Sequence, residues 1–76
     1  MNLQTAVVTF RENANTPQRC IDVVVDGSLV GHIYGHDGTY RYFEGPSNEI
    51  IWSYSDLNLE RLKHRISATL LTEAQA

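Results

Sequence analysis

The chain lacks most of what staples or arms a small domain. It has one cysteine, Cys20, among 76 residues. No internal disulfide can form, and a lone thiol suits a reducing compartment better than secretion. No apolar run exceeds three residues, as at Val23–Val25, which excludes a membrane-spanning helix. The first residues show no basic segment followed by a long apolar stretch, so no secretory signal is read there and the expected location is the cytoplasm. Positive charge is also scarce. Six Lys and Arg stand against nine Asp and Glu, a net charge of −3. That balance argues against general affinity for phosphate backbones. It favours solubility and docking onto a basic surface.

Chemical motifs are missing as well. Gly31 and Gly35 flank His32-Ile33-Tyr34, but no helix start follows them, so this is not a phosphate loop. Crowding relief or a bulge in a sheet is the expected role. His32 and His36 are four apart. On extended chain, at roughly 3.3 Å per residue, that separates them by about 13 Å, so they read as strand and turn histidines rather than a metal pair. His64, four after Glu60 on the helix, reads as a surface residue paired with it. Cys20 has Asp22 on the same strand face, where a carboxylate raises a thiol pKa rather than lowering it. The reading is therefore no catalytic residue, no metal, no cofactor and no enzyme.

What is present is a run of strand patterns ending in a helix. At 76 residues there is room for one domain and one small core, with residues 1–4 and 72–76 expected to fray. Thr5–Arg11 alternates with Ala6, Val8 and Phe10 on one face, and Glu12–Gln18 reads as a loop. Arg19–Val25 puts Ile21, Val23 and Val25 on one face and Cys20, Asp22 and Val24 on the other. Asp26-Gly27 is a strong hairpin signal before a third strand, Leu29–Tyr34. Gly35–Gly38 is a second turn, Thr39–Glu44 a fourth strand, Gly45–Asn48 a third turn, and Glu49–Trp52 a short fifth strand or a lead-in. Ser55 is the expected helix cap, with Asp56 in the first turn and Tyr54 and Leu59 placed as a staple. Leu59, Leu62, Ile66 and Leu70 form one apolar stripe.

The expected fold is thus α+β: an antiparallel sheet of four to five strands with one C-terminal amphipathic helix on one face. The expected core is Val8, Phe10, Ile21, Val23, Val25, Leu29, Ile33, Tyr42, Trp52, Leu59, Leu62 and Ile66. Val7, Val24, Val30, Tyr34 and Phe43 fall on the opposite face, which one helix cannot cover. That face is either a partner surface or partly covered by loops.

The stretch from Ile21 to Leu70 combines V-D-G-S-L-V-G-H-I-Y, D-G-T-Y-R-Y-F and the helix S-D-L-N-L-E-R-L-K-H-R-I. In these segments it resembles small proteins encoded by bacteriophages and mobile elements, among them anti-CRISPR inhibitors. The resemblance implies a protein that binds a host defence nucleoprotein through surface complementarity and does no chemistry. It assigns no residues. From the residues themselves, Asp22, Asp26, Asp37, Glu44 and Glu49, with Tyr34 and Phe43, are the expected protein-binding set. One alternative is nucleic-acid binding through Tyr40, Arg41, Phe43 and the basic helix flank of Arg61, Lys63 and Arg65. The other is a self-associating subunit, a homodimer through an edge strand or the open face.

Overall fold

In the computed structural model, residues 7–75 are described. The order is β1 (Val8–Asn13), β2 (Arg19–Val25), β3 (Ser28–His36), β4 (Thr39–Glu44), β5 (Tyr54–Asp56) and α1 (Leu59–Gln75). The five strands form one antiparallel sheet in chain order. This is the expected α+β fold. The expected fraying at residues 1–4 and at Ala76 lies outside the described residues, as do Thr5 and Ala6. The backbone of α1 continues through Gln75.

Two tight turns set the meander. Asp26 and Gly27 have φ of 50° and 84°, and Asp37 and Gly38 have φ of 51° and 77°. Positive φ at both central residues gives the turn twist that matches paired strands, and Asp followed by Gly adopts it cheaply. Asp26 Oδ1 also accepts the Val7 amide at 2.9 Å, tying the start of β1 to the β2–β3 turn.

One face of the sheet carries the main core. Ile21, Val23, Ile33 and Tyr42 pack with Leu62 and Ile66 of α1, and Val8, Phe10, Leu59 and Leu70 border them. The helical stripe seals the sheet as its spacing predicts. Gly31 is needed beneath it: a Cβ there would lie 2.6 Å from the Phe43 carbonyl oxygen and 2.7 Å from the Tyr42 ring. The glycine lets the tyrosine lie flat across β3.

Several expectations are corrected. A register shift between Val23 and Val24 pairs Val23 with Gly31 but Val24 with Leu29. That bulge turns Val30 toward the core and leaves Leu29 exposed, because one extra residue reverses the alternation. Val25 is only half-buried. Trp52 is exposed rather than in the core. β1 extends to Asn13, beyond the expected Arg11, because Glu12 and Asn13 pair with Ile21 and Cys20. The fifth strand is Tyr54–Asp56, not Glu49–Trp52.

The helix accordingly starts later than Ser55. Tyr54 and Asp56 pair with Tyr42 and Tyr40 of β4, and the Tyr54 ring stacks on Tyr42. Asn58 is the cap: its Oδ1 accepts the Arg61 amide at 3.0 Å, and its carbonyl accepts the Leu62 amide. Asp56 lies outside the helix and receives the Asn58 amide and the Arg61 guanidinium, the latter by two bonds of 2.7 and 2.6 Å.

Candidate functional site

The sheet face away from the helix gathers the chemistry. Cys20 and Asp22 sit two apart on β2, so their side chains share a face. Pairing of β2 with β3 sets Asp22 directly opposite His32 and Cys20 opposite Tyr34. Three ligand-type atoms converge as a result. His32 Nδ1 is 3.0 Å from Asp22 Oδ1, and Cys20 Sγ is 3.9 Å from each of them. Cys20 is 1% exposed, and the side chains of His32 and Asp22 are 12% and 20% exposed. Asn13 Nδ2 donates to Asp22 Oδ1 at 3.3 Å.

The other ring nitrogen of His32 is committed too. Nε2 lies 3.0 Å from the Pro46 carbonyl oxygen. A carbonyl oxygen can only accept, so Nε2 carries hydrogen. An ionised Asp22 can only accept as well, so the short Nδ1–Oδ1 contact requires a positive centre, a proton or a cation, between the two atoms.

This trio is not arranged as a nucleophilic relay. Such a relay needs the thiol on one ring nitrogen and the orienting carboxylate on the other. Here both face Nδ1. Burial, then the charge of Asp22, pushes the Cys20 thiol upward in pKa, away from the reactive thiolate.

Beside the trio, Tyr34 donates its hydroxyl to Glu49 Oε1 at 2.9 Å and meets the Phe43 ring edge-on at 5.4 Å. Burial and the bond to Glu49 raise the Tyr34 hydroxyl pKa. Gln18, Tyr34, His36, Arg41, Phe43 and Glu49 line a shallow cleft of about 270 Å³, just below the roughly 300–1,000 Å³ of small-molecule sites.

The segment between β4 and β5 crosses this same face. Pro46 meets His32, Glu49 meets Tyr34, and the Arg41 guanidinium stands 5.7 Å from the centre of the Trp52 ring. Val24 and Phe43 are buried on this face, and the segment after β4 covers part of it. Asn48 organises the crossing. Its Nδ2 donates to the carbonyls of Glu44 and Ile51 at 2.8 and 2.7 Å. Its Oδ1 accepts the amides of Ile50 and Ile51 at 3.1 and 3.2 Å. The loop is closed by its own bonds, and its apolar residues point away from it: Ile50 is 87% and Ile51 73% exposed.

The expected protein-binding residues do not form one patch. Asp22 is held by His32 and Asn13, and Glu49 by Tyr34. Phe43 is buried. Asp26 and Asp37 occupy turns at opposite ends of β3. Glu44 receives the Ser53 hydroxyl at 3.0 Å. Only Glu44 and Glu49 border the exposed loop residues.

The alternative nucleic-acid set is divided. Tyr40 packs on the helix side, whereas Arg41, exposed, and Phe43, buried, lie on the other face. Arg61 is paired with Asp56, Lys63 with Glu60, and Arg65 covers the Tyr54 ring. His36 pairs with Asp37 on the surface, apart from His32. Among the described residues, no helix is long and apolar enough to cross a membrane.

Sequence reasoning missed the partnership of His32 with Cys20 and Asp22. The usable signal was the Asp-Gly turn, from which the register of β2 against β3 can be counted. The bulge falls between the turn and the trio, and it defeats a count made from the turn alone. No protein-family profile, curated protein or solved structure matches this chain.

Proposed function

We propose that this protein is a small, non-enzymatic protein-binding module whose contact surface is the Ile50-Ile51-Trp52 segment between β4 and β5. The observation that carries this reading is the loop built on Asn48. Four side-chain hydrogen bonds hold a short loop closed while two isoleucines stand in water. Exposing them forgoes roughly 1.5–3 kcal/mol of burial for each side chain, and an ordered apolar tip lowers the entropy lost on docking. Glu44 and Glu49 flank the tip, and the net charge is −3. The complementary partner is a protein with an apolar cleft rimmed by basic residues. The resemblance to phage-encoded inhibitors makes a host defence nucleoprotein complex the partner class to test first.

The arrangement around Cys20 supports a non-enzymatic reading, since the thiol is buried and both nitrogens of His32 are engaged. The test is affinity capture from host lysate with the wild type and with Ile50→Asp/Ile51→Asp. A specific protein retained by the wild type and lost by the variant supports the reading. Equal recovery by both, or nothing specific, overturns it. Light scattering at two concentrations separates self-association: a mass that doubles in the wild type and not in the variant assigns the tip to a homodimer instead.

A further inference from the structure

We infer that Cys20, Asp22 and His32 form a binding site for a single thiophilic divalent ion, with zinc as the best fit. The first support is the fixed tautomer. Nε2–H is spent on the Pro46 carbonyl at 3.0 Å, which in a neutral imidazole leaves the lone pair on Nδ1. That lone pair points at a carboxylate oxygen 3.0 Å away. A divalent ion there can take the place of the proton that otherwise joins the two atoms, with a bond to each. A histidine that donates its remote N–H to a backbone carbonyl is also the usual outer support of a metal ligand.

Geometry is the second support. A tetrahedral zinc ion with ordinary bond lengths sets its nitrogen and oxygen ligands about 3.4 Å apart and its sulfur about 3.6 Å from either. The corresponding separations here are 3.0, 3.9 and 3.9 Å. Shifts of about 0.4 Å or less bring all three atoms onto one ion, and side-chain rotation supplies that without moving the strands.

Charge and softness complete the case. A thiolate and a carboxylate carry two negative charges, which a divalent ion cancels, so the half-buried site becomes neutral. Sulfur and imidazole nitrogen select zinc over magnesium or calcium, which take oxygen ligands. A bound ion also reverses the local cost of the thiolate, because coordination deprotonates a thiol outright. Three protein ligands leave one tetrahedral position for water or for a donor from a partner. The site would serve as a staple joining β2 to β3 in a domain that has no disulfide.

Cobalt(II) substitution in the full chain tests this directly. The protein has one cysteine, so a thiolate-to-cobalt charge-transfer band can come only from Cys20. The expected result is that band together with intense visible absorption of tetrahedral cobalt, saturating at one ion per chain and displaced by zinc. Cys20→Ser should abolish the charge-transfer band, and His32→Gln should weaken binding by more than about 100-fold. The double variant His36→Gln/His64→Gln should bind as the wild type does, and zinc should raise the melting temperature of both. Absence of the charge-transfer band in the wild type, or its saturation above one ion per chain, overturns the inference. So does zinc affinity that falls with loss of His36 and His64. Should Cys20→Ser or His32→Gln fail to fold, the wild-type cobalt spectrum decides alone. Protein capture by the Ile50–Trp52 tip is read separately and does not depend on this outcome.

Discussion

Asp22 Oδ1 and His32 Nδ1 face each other across β2 and β3 at 3.0 Å, although they stand ten positions apart in the chain. They are direct cross-strand neighbours, and Pro46 closes the far side of the imidazole. One hairpin and one returning loop thus enclose a polar cluster on the face that the helix leaves uncovered.

The loop itself should respond to Asn48. Asn48→Ala removes four hydrogen bonds that close residues 44–51. Each net bond contributes about 0.5–1.5 kcal/mol, and less where water replaces it. Amide exchange at Ile50 and Ile51 should speed up markedly, with a loss of global stability under about 2 kcal/mol. Partner affinity should fall because the tip is no longer pre-ordered. Unchanged exchange at both amides would show that the segment is held by something other than Asn48.

Acid should loosen the helix entrance. The Arg61 guanidinium, with the Asn58 amide, lowers the Asp56 carboxyl to about 2. A carboxyl depressed in the folded state stabilises it above the unfolded pKa, near 4, and loses that contribution as pH falls through the folded value. Helical circular dichroism should therefore decline between about pH 4 and pH 2, and Asp56→Asn should remove that titration step. A decline of the same size in Asp56→Asn would assign the acid transition to other carboxylates.

The helix depends on its buried stripe. Leu62 and Ile66 are fully buried against Ile21, Val23, Ile33 and Tyr42. Leu62→Ala should cost about 2–5 kcal/mol and Ile66→Val about 0.5–1.5 kcal/mol. A small domain holds roughly 0.05–0.15 kcal/mol per residue in total, so Leu62→Ala should remove a large share of the whole stability. Urea melts measure both, and equal midpoints for the two variants would contradict the packing described.

Gly31 should tolerate no side chain. The added Cβ in Gly31→Ala meets the Phe43 carbonyl and the Tyr42 ring at under 3 Å, and overpacking of this kind costs about 1–3 kcal/mol. Tyr42→Leu should relieve part of the loss in the double variant, which a double-mutant cycle reads as coupling. Additive losses would place the clash on the backbone carbonyl alone.

Local patterns carried much of the fold. Arg19–Val25 and Thr39–Glu44 are strands over the very spans their alternation marks, and Asp26-Gly27 turns as its chemistry requires. The stripe of Leu59, Leu62, Ile66 and Leu70 names its own buried face. These features depend on neighbours along the chain. Ser55 misled because a good cap residue is equally acceptable in a strand, and pairing with β4 outcompeted a helical turn there. Leu29 and Val30 exchanged sides because a bulge has no mark in the sequence.

The amino-acid sequence by itself determined the first four strand segments, the two Asp-Gly turns and the helical face, since each follows from side-chain period and backbone preference within a few residues. Tertiary structure alone decided that Cys20, Asp22 and His32 would meet, and that the loop after β4 would fold back over them. Those contacts depend on strand register and on a loop path, and both are settled by packing between distant segments rather than by any residue's own propensity.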